Sequence, residues 1–195
     1  MDTISHPSLI LTARQFGLYK AFKEAFSEVK GVEISDKDIM QLENINAVVS
    51  PANSYGWMDG GIDQVYVYSF GQQIEERVKQ QIKQDHGGEL PVGSAFVIET
   101  YSERIEYLVV APTMRIPGPV KETQNAYLAM KAMLKAVYQF NQTNAHVITG
   151  IGCPGLGTGT GGIPYKEAAR QMRRAFLEAN VSENIRLQAL QQKSS

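Results

Sequence analysis

The feature that most constrains the fold of this chain is an alternation. Short apolar, β-branched runs are each followed by a stretch whose apolar residues recur at helical spacing. Runs at 8–13, 32–34, 45–50, 94–100, 105–111 and 145–152 read as strands, and 185–190 as a final one. Helical spacing is expected over 15–29, over a short piece at 36–42 with Ser35 as its N-cap, over 62–83, and over 121–140. A last helix should start at Pro164, a residue favoured in the first turn, and run to about 180. Strands interleaved with helices in this way predict an α/β sandwich built on one sheet. With no repeat and no linker in 195 residues, the chain is expected to form one domain, with 191–195 as a frayed tail.

Two segments stand out within that pattern. Residues 51–61, Pro-Ala-Asn-Ser-Tyr-Gly-Trp-Met-Asp-Gly-Gly, link a buried strand to a helix, and 154–162 do the same near the other end. Loops at the carboxyl ends of strands in an open α/β sheet are where ligands bind. Glycine lets backbone N–H groups face a ligand unobstructed, and the helix that follows adds free donors and a partial positive charge. Two such loops can grip a diphosphate without lysine. Neither contains Gly-Lys-Ser/Thr, so a Walker-type phosphate loop is excluded. Gly157-x-Gly159-x-x-Gly162 matches the dinucleotide fingerprint in letters, but it sits in the last quarter of the chain, and no acidic residue ends the strand expected after its helix.

Charge narrows the choice of partner. A formal net charge of -1 offers no general attraction to nucleic acid or anionic membranes, so any anion must be held by a local device. No apolar run reaches the roughly 18 residues of a membrane span, and Met1 to Ser8 lack the order of a secretory signal. A cytoplasmic monomer is therefore expected, without membrane or nucleic-acid partners. One cysteine, Cys153, excludes an intrachain disulfide, and His6, His86 and His146 are too dispersed for a metal site. No metal or cofactor is expected.

Taken together, the residues resemble the macro domain family. Ser50-Pro51-Ala52-Asn53-Ser54 through Gly60-Gly61-Ile62-Asp63 is similar to that family's Asn-Ala-Ala-Asn-Ser … Gly-Gly-Val/Ile-Asp loop, with the same ten-residue step from asparagine to aspartate. The stretch from Gly157 to Pro164, then Lys166-Glu167-Ala168-Ala169, resembles the second signature, Ser-Thr-Gly-Ile-aromatic-Gly-x-Pro before a Glu-Ala-Ala helix. Lys37-Asp38-Ile39-Met40 resembles Gly-Asp-Ile-Thr, and Pro91-Val-Gly93-Ser-Ala95 resembles a turn before a strand. The match covers roughly 34–180, in order.

The resemblance implies a three-layer α/β/α sandwich with a mixed central sheet, and a cleft for ADP-ribose or a derivative. Asp38 and the Ile39 backbone would meet the adenine, and Asn53 the distal ribose. Gly60, Gly61 and Ile62, with Gly157, Thr158, Gly159, Thr160 and Gly161, would wrap the diphosphate and distal ribose. Members that hydrolyse ADP-ribosyl esters implicate the counterparts of Asn53 and Asp63 in catalysis, with the attacking water oriented by Asp63 or by a substrate phosphate.

The chemistry is consistent with this, since an amide can donate and accept with sugar hydroxyls and a carboxylate can act as a base. Two function classes follow: a hydrolase releasing an ester or phosphate from the distal ribose, and an ADP-ribose-binding module without turnover. Four departures from the family pattern bear on the choice: Ser50-Pro51 for Asn-Ala, Trp57, Asp59, and Gly161 where hydrolases carry an aromatic ring over the ribose. Trp57 and Asp59 also have plain readings, as loop packing and a solvated turn carboxylate.

Overall fold

A computed structural model describes residues 7–193, with side chains described to residue 180. His6 and the last two serines of the expected tail lie outside the described residues. In chain order the elements are β1 (Ser8–Thr12), α1 (Phe16–Ala25), β2 (Val32–Ser35), a short 3-10 turn (Ile39–Gln41) and β3 (Ala47–Ser50). Then come α2 (Gly61–Phe70), α3 (Gln73–His86), β4 (Phe96–Glu99), β5 (Tyr107–Val110), α4 (Asn125–Thr143), β6 (Gly150–Cys153) and α5 (Tyr165–Lys193).

The strands form one six-stranded sheet in the order β2-β1-β6-β3-β5-β4. All neighbours are parallel except β4, which runs antiparallel to β5 at the edge. Side-chain alternation sorts the core into two layers. Leu9, Leu11, Ala47, Val49, Val109 and Ile151 face α1, α4 and α5, where they meet Phe22, Met130, Met133 and Met172. Ile10, Val48, Leu108 and Val110 face the other way, against the 3-10 turn, α2 and α3 through Ile39, Leu42, Tyr66, Ile74, Val78 and Ile82. The result is a three-layer α/β/α sandwich with a mixed sheet.

On this second face β6 carries only glycine, and the reason is space. A Cβ on Gly150 would collide with the Asn44 carbonyl, and one on Gly152 would come within 3.0–3.2 Å of Ile45, Leu42 and Ile39. The 39–45 segment therefore lies directly on the sheet, which fixes where Asp38 stands. Asp38, rather than Ser35, caps the short turn, accepting from the Met40 amide at 2.9 Å. The Ser35 hydroxyl instead accepts from the Lys37 amide.

Several boundaries differ from the periodicity. The helix expected over 62–83 breaks at Gly71, whose φ of 88° a helix does not accommodate, giving α2 and α3. Residues 185–190 continue α5 instead of forming a strand, since no glycine or proline interrupts the chain after Pro164. Gln191 to Lys193 of the expected tail also belong to that helix. Phe16 fits the apolar spacing of α1 yet is 77% exposed, because it begins the helix beyond the end of β1. In α2, Tyr66 is buried and stacks on Phe70 at 6.0 Å, whereas Tyr68 points outward. No helix among the described residues is long and apolar enough to cross a membrane.

Candidate functional site

The sheet order puts the sequence-predicted residues along its carboxyl edge. Asp38 follows β2, the second glycine loop follows β6, and the first glycine loop follows β3. From β2 to β3 is three strand spacings, roughly 14 Å at about 4.8 Å each, with the β6 loop between them.

At the β2 end, the Thr12 hydroxyl donates to the Lys37 carbonyl at 2.5 Å, tying the loops after β1 and β2 together. One Asp38 oxygen caps the 3-10 turn, and the other lies 3.6 Å from the Arg14 guanidinium. Ile39 is buried beside it.

The first loop is organised by its own polar side chains. Asn53 is buried, and its oxygen accepts from the amides of Tyr55 (3.1 Å) and Trp57 (3.3 Å). Its Nδ2 donates to the Trp57 carbonyl at 2.9 Å, which leaves one N–H of the amide uncommitted. The Ser54 amide reaches the Met114 and Arg115 carbonyls, and Thr113 donates to the Pro51 carbonyl at 2.8 Å. Glu75 of α3 accepts from the Met58 amide. Tyr55 is pinned by Glu89, which Arg115 holds through two bonds of 2.7 and 2.9 Å, and Trp57 stacks on Tyr55 with ring centres 5.1 Å apart. Asp59 is exposed.

Gly60 and Gly61 open α2, whose first amides lack helical acceptors. A Cβ at either glycine would meet nothing within 4 Å, so this helix end faces open space. Asp63 in the first turn is 6% exposed and accepts from the Ser50 hydroxyl at 2.5 Å. Burial pushes its carboxyl up to about 7, with the Ser50 bond opposing and the charge of Glu75 assisting. Its second oxygen carries no protein hydrogen bond. No fully buried side-chain polar atom among the described residues lacks a partner, so that oxygen is not completely closed off from solvent. Tyr66 completes the cluster, donating to the Val49 carbonyl at 2.9 Å.

The second loop is built by close approach. Gly157 has a φ of 69°, and a Cβ there would sit 2.7 Å from Ile163. A Cβ on Gly161 would be 2.6 Å from the Gly157 carbonyl and 2.7 Å from Val120, whose amide donates to Gly161. Gly161 is therefore a packed position, with no space for a larger side chain unless its neighbours shift. Gly159 and Thr160 are exposed, Gly159 with nothing near its Cβ position, while Thr158 donates to the Gly155 carbonyl. Cys153 is buried and burial pushes its thiol up, away from nucleophile chemistry. His86 stacks on Phe96, and the His146 carbonyl accepts from Tyr107.

The family's sequence model matches residues 49–172, which contain both loops, the end of β3 and all of β6. The chain belongs to the Macro domain family. Among its relatives are an uncharacterized protein of Aquifex aeolicus, 30% identical over 65% of this chain and 70% of that one, and one of Pyrobaculum aerophilum, 30% identical over 77% and 78%. Solved macrodomains share the fold. The macrodomain of Mycobacterium tuberculosis DarG superposes with a TM-score of 0.60 at 20% identity, covering 73% of this chain and 87% of that one. A mutant Oceanobacillus iheyensis macrodomain with ADPR gives 0.61 at 16% identity, covering 91% and 80%.

This macro domain also uses residues that periodicity and motif matching did not single out. Glu75, Glu89, Thr113 and Arg115 hold the first loop from 17 to 62 positions away in the chain. Ser50 stood out only as a departure from the family's asparagine. No local signal marks such partners, because the sheet's crossovers bring them together.

Proposed function

We propose that this macro domain binds ADP-ribose or a derivative along the carboxyl edge of its sheet and removes a group from the distal ribose. The observation that carries this reading is the order of parts along that edge: a carboxylate at the β2 end, a glycine mould in the middle, and an amide with a solvent-reaching carboxyl at the β3 end. Adenine at Asp38 and Ile39 leaves the diphosphate over Gly157 to Gly161 and beside the amides of Gly60, Gly61 and Ile62, a helix end at which partial positive charge and open space coincide. The remaining N–H of Asn53 serves the distal ribose. Asp63 then takes a proton from water through its solvent-reaching oxygen. The water oxygen bonds to the anomeric carbon, and the leaving group departs with its bonding pair as a carboxylate or phosphate. A carboxyl that titrates near neutrality suits a general base. The groups consistent with this step are those linked through oxygen to the anomeric carbon: a protein carboxylate, a 1″-acetyl ester and a 1″-phosphate.

A binding module without turnover is favoured by one observation: Asn53 spends three hydrogen bonds on its own loop. Calorimetric titration with ADP-ribose and AMP, followed by turnover assays of wild type and Asp63→Asn, separates the readings. Micromolar binding of ADP-ribose, weaker for AMP, with turnover lost in the variant at unchanged affinity, supports the hydrolase. Binding with no turnover supports the module, and no binding removes both.

A further inference from the structure

We propose that Ser50 is the positioning residue of Asp63: its hydroxyl occupies one carboxyl oxygen and turns the other toward the distal ribose. The inference rests on the reading of Asp63 as the base. Ser50 is 1% exposed and ends β3 in register with Val110, and its carbonyl accepts from the Ala111 amide at 2.9 Å, so the hydroxyl stands on a rigid strand. Pro51 follows, which restricts Ser50 to extended backbone and offers no N–H of its own to compete for the carboxyl. The 2.5 Å bond fixes Oδ1, and Oδ2 is left without a protein partner.

The surroundings explain why a hydroxyl suits this place. Glu75 faces Asp63 from α3, itself tied to Lys79 at 2.5 Å. From α2 comes Tyr66, which in turn feels Cys153 of β6 and Asp38. Burial and Glu75 push the Asp63 proton affinity up, and among these neighbours Ser50 alone counters them. A neutral donor lowers that affinity without introducing a cation into a site meant for an anionic ligand.

The experiment is a pair of variants, Ser50→Ala and Ser50→Thr, in the full chain. Each is followed by the carboxyl-carbon NMR titration of Asp63 and by the pH–rate profile on ADP-ribose 1″-phosphate. In Ser50→Ala the Asp63 midpoint and the acid limb of kcat should both move up by about one pH unit. The rate at pH 7 should fall about tenfold, with KM changed less than about twofold. Threonine, which keeps the hydroxyl, should restore both. An unmoved midpoint, a threonine variant as impaired as alanine, or a loss of affinity equal to the loss of rate overturns the proposal. Wild type without turnover overturns it together with the hydrolase reading. A rate abolished by Asp63→Asn yet unchanged by Ser50→Ala overturns the Ser50 role alone.

Discussion

The two glycine loops occupy equivalent places, each between a buried strand and a helix, yet they are held by different forces. The loop after β3 is a hydrogen-bonded structure: Asn53, Ser54, Glu75, Glu89 and Arg115 fix it through side chains and distant backbone. The loop after β6 is held by backbone hydrogen bonds and close approach: Gly161 packs against the Gly157 carbonyl, and Gly155 and Gly157 against the side chains of Leu18, Thr158 and Ile163. The difference teaches which loop can hold chemistry. A hydrogen-bonded loop can carry a titrating carboxyl beside its partners, whereas a close-packed one supplies shape and backbone donors.

The sharpest way to test that division is to change the carboxyl. Asp63 is raised to about 7 in the folded protein from an ordinary value of 3.8, so folded chains hold its proton where unfolded chains have lost it. Its contribution is thus fully present below about pH 4 and disappears as pH rises to about 7, a change on the order of 4 kcal/mol. Urea unfolding of wild type and Asp63→Asn across that window should show the wild type losing this margin relative to the variant. Parallel pH dependences would mean that the carboxyl is not buried as described. In turnover assays the same substitution should lower kcat by about a hundredfold or more with little effect on binding.

The close-packed loop should respond in stability first. Gly161→Ala places a methyl against backbone at 2.6 Å, and about 1–3 kcal/mol should be lost in thermal or urea unfolding. Gly157→Ala adds left-handed backbone strain to its contact with Ile163 and should cost a comparable amount. An unchanged stability would mean that Gly161 is not packed against the Gly157 carbonyl and Val120. The smallest stability effect is expected at Gly60, whose φ of -154° is ordinary extended backbone with open space around it. Gly60→Ala should stay within about 0.5 kcal/mol of wild type while weakening ADP-ribose binding. Equal affinity in calorimetry would place the ligand elsewhere.

The contrast also shows how much the chain reveals before it folds. Strands β1, β3 and β5 were legible because 9–11, 47–49 and 107–110 are apolar on both faces, as a sheet covered on both sides requires. Both loops were legible because glycine clusters between a strand and a helix stand out against the periodic segments on either side. Less legible were the break at Gly71 and the continuation of α5, where local spacing competes with a single dihedral or with the lack of a stop signal. For the site, Asp38, Asn53 and Asp63 could be named, but their surroundings could not. Nothing in the spacing said that Asn53 would turn inward on Trp57, or that Gly161 would be filled by Val120.

What the sequence determined by itself is the alternation, the two loops and the residue types placed at strand ends, because these follow from short-range periodicity and backbone freedom. Only the tertiary structure decided the order of those loops along one edge, with β6 inserted between β1 and β3. It also decided that a serine ending one strand would meet an aspartate thirteen residues on, out of water. The physical reason is that burial and proton affinity belong to an environment, and the environment of Asp63 is assembled from β3, α2 and α3 only when the sheet closes over its core.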